Sequence, residues 1–512
     1  MILRSIPIIL LALPLMACDG MDLGPDGGDE AGGGPGYTGP GGDDGTLNGG
    51  STAASGGDGQ DTPTADMNDG GGPQSIQACE YAPGSKVDIS LHGHPSMAAA
   101  QYARAALLSD AHVVPATELI RSEDFLAYYG LTFHEGLPID PVSLRWYQVG
   151  KAEAGNVDAA MELDFGTLPR TREPLRVVLL LDVSQSLSQS LDLEMATLRS
   201  LAKGFVTDGV PGDSLAVLTF AGDVKTEIDA GIDGNAGEYG GLPIDTVALA
   251  PRSGNDFKSA VSAALTAADT GGSVLGHVLL VSDGGTTIQE KLLSEIRSAA
   301  SKGTRFSVAQ IGVPLPTGPA PIDLEFLDQL AAAGRGATYY LGGPIDATRA
   351  FEQRFGASFG VHARGVVAHI ELPPFLQAVG LPEQGVGMNS GPLGGVVGSG
   401  TLTPLRLGMR AGCTTIFDVT ENSDLPVEPF KISIESTSGE LLPLTEFPFV
   451  GTRGADAVSV RNDAILATAL AIRSKNPVDI ERARELLGLT MNGNCLGCDD
   501  LMELMSLLER IE

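Results

Sequence analysis

In Asp182-Val183-Ser184-Gln185-Ser186 a carboxylate and two hydroxyls stand at alternate positions, directly after the apolar run Val177-Val178-Leu179-Leu180-Leu181. A second apolar run, His277-Val278-Leu279-Leu280-Val281-Ser282, ends in another carboxylate, Asp283. In an open parallel sheet, ligands bind beyond the carboxyl ends of the strands, so both runs would deliver oxygen atoms to that end. Oxygen donors of this kind suit a hard divalent cation, because magnesium takes about six oxygens at short distance and keeps some of them as water. Taken alone, the first motif equally fits a loop of ordinary helix-capping residues.

Other motifs invite chemistry and lose it in context. Gly356-Ala357-Ser358-Phe359-Gly360 has the spacing of a hydrolase nucleophile, with His362 nearby. Such an elbow needs a strand before it and a helix after, whereas an amphipathic helix leads into this one. His92 and His94 are spaced as a metal-binding pair, but in a loop with no third ligand in view. Cys495 and Cys498 form a single CxxC where a zinc ribbon wants two, and it follows a helix and a turn where a redox motif would open a helix after a strand. No acid-base pair or activated nucleophile emerges, so the chain is not expected to be an enzyme. Trp146 lies in an alternating stretch and reads as core.

The elements that would position Asp182 and Asp283 follow from periodicity. From Arg176 onward, continuous apolar strands alternate with amphipathic helices; Leu191, Met195, Leu198, Ala202 and Phe205, for example, recur at helical spacing. That alternation predicts an α/β fold with a doubly wound, mainly parallel sheet covered on both faces. The stretch ATRAFEQRFGASF reads as one helix closing this unit near residue 360. Before it, SMAAAQYARAALLSD and PATELIRSEDFLAYYG read as two helices, followed by strands at PVSLRWYQVG and AAMELDFGTL. After it come strands at GVVAHIEL, TTIFDVTE and FKISIES, then helices at the C-terminus. In the last helix Leu501, Leu504, Met505, Leu508 and Ile511 form a stripe that reads as core.

Bulk composition narrows the partners. The 512 residues carry a formal net charge of -32, with 32 Lys and Arg against 64 Asp and Glu. Such a surface repels phosphate backbones and excludes nucleic acid as a partner. Residues 1–18 place Arg4 before an apolar stretch from Ile6 to Met16, a secretory signal too short to be a membrane anchor. Residues 19–78 are dominated by glycine, aspartate, serine, threonine and proline, without lysine or arginine. They predict a disordered tether with an r.m.s. reach of about 40 Å. Cys18 apart, Cys79, Cys413, Cys495 and Cys498 remain, and an even count in an exported chain suggests disulfides. Cys495 with Cys498 and Cys79 with Cys413 are the favoured pairs, against a zinc site built from all four.

Taken with the strand-helix order, Asp182, Ser184, Ser186 and Asp283 resemble the metal-ion-dependent adhesion site of the von Willebrand factor type A superfamily, whose first loop is D-x-S-x-S after a buried strand. The resemblance implies that Ser184 and Ser186 bind Mg2+ (or Mn2+ or Ca2+) directly, while Asp182 and Asp283 act largely through water. Keeping carboxylates out of the inner shell leaves the ion electrophilic, and its open position takes a carboxylate from a partner. A third loop normally adds a threonine; here APRSGNDFKSAV places Asn255 at that position, with Asp256 beside it. An amide oxygen can ligate, and the neighbouring charge would alter affinity.

Leu15-Met16-Ala17-Cys18 resembles the lipobox of bacterial lipoproteins, which implies a lipid on Cys18. Residues 101–133 and 327–342 are similar to the segments that precede and end the A domain in bacterial lipoproteins of the calcium-activated chloride channel-like family. That similarity covers most of residues 95 to 445; a channel is not implied, since no later segment is long and apolar enough to span a bilayer. The family's layout implies that residues 79–173 and 361–445 form one mostly β body, stapled by Cys79 and Cys413, in which residues 174–360 are inserted. Residues 446–512 follow as a helical segment. The expectation is a lipid-anchored, extracytoplasmic module of the cell envelope that holds a protein or envelope polymer presenting a carboxylate through the ion. A secreted hydrolase using Ser358 or the histidines, and a structural envelope protein with a silent ion site, are the alternatives.

Overall fold

The computed structural model describes residues 86–91, 96–130, 142–165, 173–371, 376–380, 396–397, 402–411, 430–447, 457–491 and 498–511, with short breaks at 154–155, 234–236, 272–273, 285–287, 362, 365 and 438. The chain opens with β1 (Lys86–Leu91) and α1 (Ala98–Leu108). A 3-10 turn (Thr117–Leu119) and α2 (Ser122–Tyr129) then share the stretch whose pattern suggests a single helix. The break falls at Arg121, which is extended at φ -118 and ψ 117. It lets α2 turn Asp124 onto the start of α1, where its carboxylate accepts from the Ala99 N–H at 2.8 Å. The long strands β2 (Val142–Glu153) and β3 (Asn156–Phe165) follow.

The α/β unit begins with β4 (Leu175–Asp182) and α3 (Leu191–Asp208). It continues through β5 (Ser214–Phe220), β6 (Val224–Gly231), α4 (Phe257–Ala268), β7 (Leu275–Ser282), α5 (Glu290–Ser301) and β8 (Arg305–Ile311). A small hairpin, β9 (Pro314–Leu315) and β10 (Gly318–Pro319), precedes α6 (Leu324–Gly334) and β11 (Arg335–Leu341). The closing helix is not continuous: α7 (Pro344–Ala347) runs into a π-helical stretch (Thr348–Gln353) and then α8 (Phe355–Phe359).

The sheet order is β11-β8-β7-β4-β5-β6. All neighbours run parallel except β6, which returns antiparallel to β5. Sequence periodicity does not single out β6, because Ile228 is its one fully buried residue and its other side chains lie at a charged, half-exposed edge. The chain moves from β4 one way to β5 and the other way to β7, so the strand order reverses at β4, where such sheets bind ligands. Val177 to Leu181 in β4 are fully buried, and alternate residues feed opposite faces. Leu179 and Leu181 meet Leu198, Leu201 and Phe205 of α3 on one side. Val178 and Leu180 share the core on the other side with Val261 of α4 and Leu330 of α6. Each fully buried leucine or valine contributes about 1.5–3 kcal/mol, so β4 offers a site a firmly held strand end.

The remaining strands are β12 (Ala363–Arg364), β13 (Val366–Glu371), β14 (Leu376–Gly380), β15 (Val396–Val397), β16 (Leu402–Ala411), β17 (Phe430–Ser436) and β18 (Gly439–Phe447). They form two larger antiparallel sheets, β1-β13-β17-β18 and β14-β16-β3-β2, and a two-stranded pair, β12-β15. Each larger sheet joins strands from before and after the α/β unit. TTIFDVTE, which reads as a strand, lies outside the described residues.

Helices α1 and α2 belong to the α/β core rather than to these sheets. The Met97 N–H donates to the Thr338 carbonyl, and the Tyr340 N–H of β11 donates to Gln101 Oε1 at 2.8 Å. The C-terminal helices α9 (Ala457–Ser474), α10 (Pro477–Met491) and α11 (Cys498–Glu509) close over the same core. Leu501, Leu504 and Leu508 are fully buried there, with Met505 and Ile511 packed against them. Cys498 is disulfide-bonded. The other four cysteines, and with them the Cys79–Cys413 and Cys495–Cys498 pairings, lie outside the described residues.

A buried polar seam binds these helices together. Arg349, presented by the π-helical stretch, donates to Glu503 at 2.8 Å and to Asp500 at 2.6 Å, and lies 4.8 Å from the centre of the Tyr128 ring. Arg104 meets the same Glu503 at 3.0 Å, while Tyr128 donates to Asp346 at 2.6 Å. Arg461 donates to Asp500 and to the Tyr129 carbonyl, and Arg354 donates to the carbonyls of Ala127 and Gly130.

Candidate cation site at the end of the sheet

Asp182 ends β4 with 0% of its surface exposed. Its Oδ1 accepts from the Ser184 N–H at 3.0 Å and its Oδ2 from the Ser282 hydroxyl at 2.8 Å. One carboxylate thus ties two neighbouring strand ends, β4 and β7. Burial raises the Asp182 pKa and the Asp283 charge adds to that, while the bonds from Ser184 and Ser282 oppose it. Beyond Asp182 the chain makes a 3-10 turn (Gln185–Leu187) anchored by Leu187, which is fully buried. The turn brings Ser184 Oγ and Ser186 Oγ to 2.9 Å from each other. Ser184 is buried and Ser186 exposed, so the hydroxyl pair lies between the carboxylate and solvent.

A second loop is pinned to the first. Ser184 bridges to Arg252 in parallel fashion, with the Arg252 N–H donating to the Val183 carbonyl at 2.8 Å. The Gly222 N–H donates to the Ser253 carbonyl at 3.0 Å. Gly254 has a φ of +91, and a Cβ there would fall 2.6 Å from Gly222 Cα, so a glycine is needed for this approach. Asn255 follows at the surface. Asp256, also exposed, caps α4: its Oδ1 accepts from the Ser259 N–H at 3.1 Å. Hydrogen bonds from the Ser259 hydroxyl and backbone hold its carboxyl below the usual range. A helix cap accounts for Asp256.

Asp283 continues from β7 as the third element, half-buried, with its carbonyl facing Gln310 Nε2. Residues 285–287 beyond it are not among those described. The structure therefore brings Asp182, Ser184, Ser186 and Asp283 to one end of the sheet, and places the Asn255 loop against the first of them.

It also adds a residue that periodicity passes over. Glu194, in the first turn of α3, is 0% exposed, and neither of its carboxylate oxygens has a protein partner. Burial pushes its pKa well above the usual range, and the charges of Asp182 and Asp283 push the same way. The signal was present: Glu194, Leu198, Leu201 and Phe205 share one helical face, and a carboxylate on a core stripe needs a reason.

The donors are all oxygens, hydroxyls outermost and carboxylates beneath, which suits a hard divalent cation such as Mg2+, Mn2+ or Ca2+. Among the described residues no three His, Cys, Asp or Glu side chains form a group that could hold a metal by themselves.

Ser358 in α8 is fully buried, and its hydroxyl donates to the Ala350 carbonyl at 2.7 Å. His92, His94 and His362 lie outside the described residues.

No family model and no curated protein matches the chain. Among solved structures it is similar to a von Willebrand factor type A protein from Catenulispora acidiphila, with 14% identity and a TM-score of 0.41 over 73% of this chain and 98% of that one. The ArnB paralog VWA2 from Sulfolobus acidocaldarius aligns with 13% identity and a TM-score of 0.35, covering 72% of this chain and 97% of its own. Proximal thread matrix protein 1 from the mussel byssus, with a zinc-occupied MIDAS motif, aligns with 12% identity and a TM-score of 0.29, covering 38% of this chain and 49% of its own.

Proposed function

We propose that the α/β unit is a binding module that holds a carboxylate of a partner protein or envelope polymer through a divalent cation, with Mg2+ the leading candidate. The observation that carries this reading is the convergence of hydroxyls over a buried carboxylate. Ser184 and Ser186 are held side by side above Asp182, which is itself fixed by Ser184 and Ser282 from two strands. In such a site Ser184 and Ser186 would hold the ion directly, and Asp182 and Asp283 would hold its waters. The ion would then keep enough positive character to take a partner's carboxylate. Asn255, not Asp256, is the residue that the second loop would offer, since Asp256 caps α4.

The same reading includes a lipid anchor on Cys18, a glycine- and aspartate-rich tether at residues 19–78 and a place in the cell envelope outside the cytoplasm. Its support is the sequence pattern. No helix among the described residues is long and apolar enough to cross a membrane.

Capture from envelope extracts tests the cation-dependent function. Wild type is expected to retain a partner in Mg2+ and to lose it in chelator, and Asp182→Ala to lose it in both. Identical captured proteins in every condition would contradict the proposal. Metabolic labelling with a fatty acid, with Cys18→Ala as control, tests the anchor.

A further inference from the structure

We infer that Glu194 and Ser190 form the inner wall of the cation site, the glutamate acting on the ion through a bridging water from the buried side, opposite the position left for the partner. The inference rests on the cation reading above. Two side chains one turn apart at the start of α3 carry it. Glu194 is 0% and Ser190 4% exposed, yet both carboxylate oxygens of Glu194 and the Ser190 hydroxyl are without a hydrogen-bond partner.

Buried carboxylates elsewhere in the unit are treated differently. Asp213, 1% exposed, accepts from the Leu175 and Val210 N–H groups at 2.7 and 2.9 Å. Buried polar groups are as a rule hydrogen-bonded, so unpaired oxygens gathered on one helix face mark a place built to receive something polar. The groups that act electrically on Glu194 are Asp182, which ends β4, and Asp283, which follows β7. All three are acidic, and no basic side chain is among the groups that act on Glu194. Carboxylates so placed either take up a proton or keep their charge against a cation that supplies the missing counter-charge. Among the described residues the acidic side chains form no metal-holding group by themselves, and a glutamate at one water's remove fits that spacing.

Mn2+ binding, followed by the EPR signal of the free ion, tests this together with melting curves in chelator and in Mn2+. The proteins compared are wild type, Glu194→Gln, Ser190→Ala and Ser186→Ala. Glu194→Gln is expected to weaken Mn2+ binding by about 10- to 100-fold, as removal of a ligand-orienting partner does. It is also expected to melt above wild type in chelator, since it removes a buried carboxylate without a partner. Ser190→Ala is expected to weaken Mn2+ binding in the same direction, by less. Unchanged affinity in Glu194→Gln, with binding lost in Ser186→Ala, would overturn the role of Glu194 and leave the cation reading standing. Weaker binding with a lower melting temperature in chelator would mark Glu194 as merely structural and overturn the inference too. If wild type does not bind Mn2+, both fall together.

Discussion

Glu194 and Glu503 are the same side chain in two secluded places, the first fully buried and the second half-buried, and the protein treats them in opposite ways. Glu503, in α11, accepts from Arg349 and Tyr129 and faces Arg104. Burial raises its pKa, but the two arginines outweigh burial and leave the carboxyl below its usual range. Glu194, in α3, has no protein partner and is raised by burial and by two further carboxylates. The helical seam supplies Glu503 with counter-charges from inside the chain, whereas no basic side chain is among the groups that act on Glu194. A region that neutralises itself is a fastening; on the cation proposal, the counter-charge for Glu194 would come from outside.

Removing a seam arginine is the strongest way to test that difference. Arg349→Ala removes two charge-assisted hydrogen bonds from the half-buried Asp500 and Glu503, which keep Arg461 and Arg104 beside them, and is expected to cost about 3–5 kcal/mol in denaturant unfolding. The loss should be the same in Mg2+ and in chelator. A loss that appears only in chelator would erase the distinction between the two regions. Next in size is the matched pair of glutamates. Glu503→Gln weakens charge-assisted hydrogen bonds and is expected to lower stability by about 1.5–3 kcal/mol. In chelator this change has the opposite sign to that of Glu194→Gln.

Acidity offers a graded test. Burial pushes Asp124 up to about 7, against the pull of Arg121, and pushes Asp346 up to about 6 against Arg104. Both lie above the unfolded value of 3.8, so the folded state binds more protons in the interval. The stability from these protons is fully present below the unfolded value and is lost as pH rises through about 6 to about 7. The slope can reach about 1.4 kcal/mol per pH unit for each group. Asp124→Asn should flatten part of this decline in denaturant titrations at successive pH values. The smallest effect is expected at Ser358. Ser358→Ala removes one neutral hydrogen bond to the Ala350 carbonyl and should cost about 1 kcal/mol. It should leave Mn2+ binding untouched, and the wild-type hydroxyl should stay unreactive to serine-directed covalent probes.

The helices and strands of the α/β unit were legible because each is a local pattern. The apolar run before Asp182, in its alternation with amphipathic helices, reads as a strand covered on both faces, and a parallel sheet then sends Asp182, Ser184 and Ser186 to its ligand-binding end. What misled was equally local. PATELIRSEDFLAYYG has the composition of one helix, yet Asp124 is drawn onto α1 and the chain breaks at Arg121. ATRAFEQRFGASF looks continuous, yet it opens into a π-helical stretch that presents Arg349 to α11.

Asp182, Ser184, Ser186 and Asp283 as oxygen donors at strand ends, and the acidic, lysine-poor composition, were set by the order of residues alone. Tertiary structure decided that Asp256 caps α4, that Ser358 is sealed in the core, and that Glu194 faces two other carboxylates. It also decided that Glu503 meets Arg104 and Arg349 from distant parts of the chain. The physical reason is range. Periodicity reports which face of an element is buried, but the charge of a buried group is settled by whichever partners the folded chain brings within a few ångströms, and those partners leave no trace in the local pattern.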